Sequence, residues 1–259
     1  MSNFANAFAN GKAFIPFITC GDPDLSTTAA CMKAMQDAGA DIIQLGIPFS
    51  DPVVESPSIQ AATMRALKHE LTTDDIFEFV ENVRKDVHIP IMFMTYANTV
   101  YNYGIERFME RCADVGVQGM VLPDVPLEEK DEFDASAEVH GVDIISLIAP
   151  SSVGRVASIA ESSNGFIYVV SGLGGIQSRE KMIEDIKGIV ATIREHTSIP
   201  CAVGIGITTP EQAVDMASLS DGAIVGSAII KLVEQYGKDA PEHVGAFVKQ
   251  MKDALRSMS

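Results

Sequence analysis

Basic residues are scarce in this chain: 19 Lys and Arg stand against 35 Asp and Glu among 259 residues, a net charge of −16 with histidine neutral. A chain so short of cations has little with which to neutralise a polyanion, so nucleic-acid binding is excluded as a first reading. Cysteine is sparse as well. Cys20, Cys31, Cys112 and Cys201 are scattered without a CxxC pair, each in or beside an apolar stretch. They read as reduced core residues of a cytoplasmic protein rather than disulfides or metal ligands. No apolar run approaches the roughly 18 residues needed to span a bilayer, and the start, MSNFANAFANGKAF, lacks a basic segment ahead of an apolar one. The chain is therefore expected to be neither secreted nor membrane-embedded. No Pro/Gly/Ser-rich linker or low-complexity stretch interrupts it, so residues 1–259 are expected to form one domain. The acidic surplus then serves mainly solubility.

What is present is ample apolar material, 47% of residues, arranged periodically. Eight short runs of strand type recur at 13–19 (AFIPFIT), 41–47, 91–95, 119–122, 142–148, 166–170, 201–205 and 223–225. Between them lie segments with apolar residues at i, i+3, i+4 spacing, for example 27–38, 105–115, 179–196 and 211–219. Strands alternating with helices imply parallel pairing, and eight such units close a (β/α)8 TIM barrel. Punctuation agrees: Thr209-Pro210-Glu211 reads as an N-cap, a first-turn proline and an acid, and Gly39 and Gly116 fall where helices end before strands. Residues 2–10 read as an extra N-terminal helix able to cover the barrel's bottom, and 241–258 as a terminal amphipathic helix.

In such a barrel the chemistry sits on the loops that follow the strands. After the seventh and eighth strands come the small-residue turns Gly204-Ile205-Gly206-Ile207 and Gly226-Ser227-Ala228, whose backbone N–H groups and helix N-termini suit an anion, although glycines can also simply permit tight turns. The window after the second strand is the densest, with three prolines, Pro48, Pro52 and Pro57, holding it in place. Gln44 falls at that strand's end and Glu55 in the loop. Glu55 could titrate in a useful range if desolvated, or be a solvated loop carboxylate; Gln44 can hydrogen-bond but cannot exchange a proton near neutral pH. Asp51 could equally be a cap or turn residue.

Six stretches carry a resemblance: FIPFITCGDPD, LGIPFSDP, MTYAN, LPDVPLEE, IPCAVGIGITTPEQA and DGAIVGSAI. In order and over essentially the whole length, they resemble the tryptophan synthase alpha chain. The resemblance implies a lyase on a TIM barrel that cleaves indole-3-glycerol phosphate into indole and glyceraldehyde 3-phosphate, needs no cofactor or metal of its own, and joins a pyridoxal-phosphate beta chain in an alpha2beta2 complex while being monomeric by itself. Position by position it implies that Phe17, Ile59, Tyr96 and Tyr168 line the indole pocket, that Gly206, Gly226 and Ser227 hold the phosphate, and that Pro48, Asp51, Pro52 and Asn98 meet the beta chain. The catalytic positions fall on Gln44 and Glu55.

At those positions the chain departs from the family. The family has glutamate at Gln44 and aspartate-glycine at Glu55-Ser56. After the sixth strand its threonine and glycine are replaced by Ile176 and Gln177, and a phenylalanine in the strand-seven turn by Ile205. Their clustering around one pocket implies that the pocket has changed as a unit, and because Gln44 cannot shuttle protons, lyase activity is expected to be weakened by at least the order of one general acid-base group, about 10² to 10⁴ in rate. Two other readings stay open at this point: a barrel whose pocket is remodelled for another reaction, and a noncatalytic subunit that activates a beta chain.

Overall fold

A computed structural model describes residues 4–53, 55–170 and 179–258 of the chain. The strands are β1 (Ala13–Thr19), β2 (Ile43–Gly46), β3 (Ile91–Met94), β4 (Val117–Val121), β5 (Asp143–Ile144), β6 (Ser146–Ile148), β7 (Ile167–Val170), β8 (Cys201–Gly204) and β9 (Gly222–Val225). All pair in parallel, in the order β5-β4-β3-β2-β1-β9-β8-β7-β6. The chain therefore folds as a TIM barrel.

Seven of the strands begin and end within two residues of the expected runs, and the fifth does not. The run at 142–148 is interrupted at Ile145, where the chain changes partner: β5 pairs only with β4, β6 only with β7, and the Ile145 N–H donates to the Met120 carbonyl at 2.8 Å. The two short strands are the two halves of one barrel stave.

Helices surround the sheet: α1 (Ala5–Ala9), α2 (Leu25–Asp37), α3 (Pro57–Ala66), α4 (Thr73–Val83), α5 (Ala97–Tyr103), α6 (Ile105–Asp114), α7 (Asp131–His140), α8 (Val156–Glu161), α9 (Arg179–His196), α10 (Pro210–Leu219), α11 (Ser227–Tyr236) and α12 (Ala240–Arg256). Local signals set their ends. The Thr209 hydroxyl accepts the Gln212 N–H and Pro210 opens α10, while Gly39 and Gly116 leave α2 and α6 with φ of +96° and +75°, angles that suit glycine.

The core has two shells. Between sheet and helices lies a continuous apolar layer that includes all four cysteines, each free and buried. Inside the barrel a smaller cluster, among it Ile15, Ile42, Met92, Val121, Ile145 and Ile224, is closed below by Phe4, whose ring meets Phe166 edge-on at 5.5 Å. The N-terminal helix thus covers the barrel's bottom as expected, and chemistry is left to the upper rim. Among the described residues no helix is long and apolar enough to cross a membrane.

Candidate functional site

Above the interior plug the barrel opens into a cavity of about 830 Å³. Phe17 of β1, Gln44 of β2, Glu55 in the following loop, Ile59 of α3, Tyr168 of β7, Gly206, Gly226 and Ser227 all line it. Eight residues picked from the sequence are therefore brought to one hollow. Two glycines make this possible. A Cβ at Gly46 would lie 2.7 Å from the Phe17 ring, and one at Gly204 would lie 2.6 Å from the Tyr168 ring, so each aromatic side chain lies flat against a neighbouring strand where any other residue would push it away.

Gln44 is buried to 1% exposure at the cavity wall. Its amide donates to the Met94 sulfur at 3.1 Å, and its carbonyl oxygen has no hydrogen-bond donor. A buried acceptor without a donor is costly, and a ligand hydroxyl or N–H entering the cavity would satisfy it. Ser146 is in the same condition: buried, on the cavity wall, its hydroxyl unpartnered.

Glu55 is half-buried. The Tyr96 hydroxyl donates to one of its oxygens at 3.3 Å and the Thr63 hydroxyl to the other at 3.5 Å. Desolvation pushes its carboxyl above the ordinary carboxylate range, only partly offset by these two bonds. Asp124, the other carboxylate on the wall among the described residues, is committed elsewhere, since both its oxygens accept the Ala97 N–H at the start of α5. Glu55 is the half-buried carboxylate of the wall, held by two side-chain hydroxyls rather than by a helix-opening N–H.

Tyr96 stands apart from its expected place. It is 2% exposed and stacked on Phe49 at 4.8 Å, and its hydroxyl donates to Glu55 rather than its ring lining the cavity. Ile205 and Ile207 are both buried in the apolar layer under the helices, and Ile207 also lines the cavity. Ile176 and Gln177 lie outside the described residues.

Also at the cavity, α11 begins at Ser227 after Gly226, with no side chain capping its first-turn N–H groups. Those donors and the Gly204–Ile207 turn form an anion-compatible rim. Pro48 and Asn98 line a separate depression of about 360 Å³ on the outer rim together with Phe49 and Tyr103. Asp51 and Val53 are exposed beside it and Pro52 is half-exposed.

Several contributors carried no clear signal in the sequence. Thr63 sits eight residues beyond Glu55, and only the turn that folds α3 back toward the loop brings the two together. Met94 could have been found from inward alternation with Met92. Lys130, buried on the cavity wall 3.4 Å from Asp134, directly follows the LPDVPLEE stretch, which gives no sign that it meets the cavity.

Comparison with known proteins then gives a single picture. The family model of the tryptophan synthase alpha chain matches residues 4–257. The tryptophan synthase alpha chain of Lacticaseibacillus casei is 48% identical over 255 residues, covering 98% of this chain and 96% of that one. Among solved structures, the tryptophan synthase alpha chain from Legionella pneumophila superposes with a TM-score of 0.88 at 32% identity, covering 100% of this chain and 99% of that one. A chain of Mycobacterium tuberculosis tryptophan synthase superposes with a TM-score of 0.89 at 31% identity, covering 98% of each.

Proposed function

Since the chain belongs to the tryptophan synthase alpha chain family, we propose that its cavity is where indole-3-glycerol phosphate is cleaved to indole and glyceraldehyde 3-phosphate, with Glu55 as the group that carries the proton. The family is one of lyases in tryptophan biosynthesis. The observation that supports the assignment of roles is the pairing, on one cavity wall, of a desolvated Glu55 with an amide oxygen of Gln44 that lacks a donor.

The reaction moves one proton from a glycerol hydroxyl to indole C3. Protonation of C3 makes the ring cationic; loss of the hydroxyl proton lets that oxygen become an aldehyde as the carbon–carbon bond breaks, and the bond's electron pair returns to the ring. Gln44 cannot exchange protons, yet its carbonyl oxygen can accept a hydrogen bond from the reacting hydroxyl and fix its direction. Glu55, with its proton affinity raised toward the working range, can take a proton and return it, and when ionised it opposes the positive charge on the indole ring. Phe17, Ile59 and Tyr168 supply apolar walls for that ring, and Gly206, Gly226 and Ser227 hold the phosphate. No residue in this scheme needs a metal or organic cofactor.

The outer rim bearing Pro48, Asp51, Pro52 and Asn98 is the face for a beta chain, and the protein works in the cytoplasm as one domain. Turnover is slow by family standards, because one carboxylate does work for which the family uses two. Feeding indole-3-glycerol phosphate and measuring indole tests the assignment: release that Glu55→Gln lowers by about 10² or more agrees with it. No indole, with or without a beta chain, would overturn it.

A further inference from the structure

We propose that the Ser56 hydroxyl is a ligand of the substrate's phosphate group, shared with Ser227, and that it joins the phosphate site to the loop carrying the catalytic carboxylate. This rests on the reading of Gly206, Gly226 and Ser227 as the phosphate site. The Ser56 and Ser227 hydroxyl oxygens are 2.9 Å apart although 171 residues separate them in sequence. Both residues line the cavity, as do Gly206 and Gly226. They also open two helices, Ser56 preceding α3 and Ser227 beginning α11, so two sets of first-turn N–H groups converge on the pair.

What Ser56 does not do is as informative. A serine in its position ordinarily accepts an N–H from its own helix. Here the side chain makes no such bond and reaches instead to Ser227 and, at 3.1 Å, to Ser58. A phosphate monoester carries up to about two negative charges and three strong acceptor oxygens, more than one turn of backbone can meet. Two hydroxyls within bonding distance of each other can each rotate to donate to an incoming oxygen. The family that this chain resembles has glycine at the Ser56 position, so the hydroxyl is an added donor, placed one residue from Glu55. Phosphate held by Ser56 therefore restrains the backbone that positions the carboxylate.

Calorimetric titration of the full chain with glycerol 3-phosphate, for the parent and for Ser56→Ala, Ser56→Thr, Ser227→Ala and the Ser56→Ala/Ser227→Ala double variant, tests this. A hydrogen bond to a charged group implies that Ser56→Ala raises Kd at least about tenfold, that Ser56→Thr largely restores affinity, and that the double variant loses less than the product of the single losses. Thermal melting without ligand separates a purely structural role, which would lower Tm and leave Kd alone. If Ser56→Ala binds like the parent while Ser227→Ala is weakened, the inference fails and the phosphate site stands. If the folded parent itself does not bind glycerol 3-phosphate, the phosphate site falls and the inference with it.

Discussion

On the function proposed for it, Glu55 serves activity at the expense of stability. Its carboxyl holds a proton more tightly in the folded chain than in the unfolded one, because burial penalises the charge. The native state is thus most favoured below the ordinary carboxylate range and loses stability as pH rises through the raised value. Glu55→Gln removes the penalty: it should melt higher than the parent near neutral pH, with the gain vanishing below about pH 4, while indole release collapses. A melting series across pH checks the sign. Where Glu55 acts as a base, the parent's indole release should rise with pH through the same raised value. Gln44→Glu places a second carboxylate beside Met94 with no donor to hold its charge. By itself it is expected to raise indole release less than about tenfold; combined with Ile176→Thr and Gln177→Gly the gain should reach one to a few powers of ten, since residues acting as a unit are strongly non-additive. A single variant already matching an ordinary family member would refute the reading of the pocket as changed together.

Elements were more legible than contacts. The alternation of apolar runs, the Thr209-Pro210-Glu211 start of α10 and the helix-ending Gly39 and Gly116 are local, and local chemistry reads directly from neighbours in sequence. The surroundings of Tyr96 were not legible, because stacking on Phe49 and the bond to Glu55 depend on three separate segments. Ser56 showed only as a departure from a family pattern until the structure set it against Ser227. Long-range seating also makes element-scale predictions. Gly204→Ala puts a methyl group into the Tyr168 ring, so it should cost about 1–3 kcal/mol by denaturant titration and disturb ligand binding as the ring is displaced. The last helix is pinned by buried Lys252, which donates to Asp41 at 2.6 Å and to the Lys12 carbonyl at 2.9 Å. Lys252→Met strands the Asp41 charge and should cost about 3 kcal/mol, with little change in ligand affinity because the pin lies outside the cavity.

At the scale of the whole molecule, the loop bearing Pro48, Asp51 and Pro52 keeps the family's pattern. A beta chain from a close relative should therefore co-elute with this chain in size-exclusion chromatography even if lyase activity is slight; separate elution of the two would count against the rim as an interface. The cylinder itself divides unevenly. Gln44, Glu55 and Asp124 come from the part of the chain before the interruption at Ile145, and Gly206, Gly226 and Ser227 from the part after it. On one side the two parts meet along the β1–β9 ladder, four residue pairs long, but on the other they are joined through a stave of which each half bonds only to its own side. Mechanically, the barrel is a tube with one welded seam and one butt joint. Under pressure, lateral pairing should loosen first at the butt joint, where only the backbone through Ile145 spans the two parts, and the amides flanking Ile145 should exchange with deuterium sooner than those of β3.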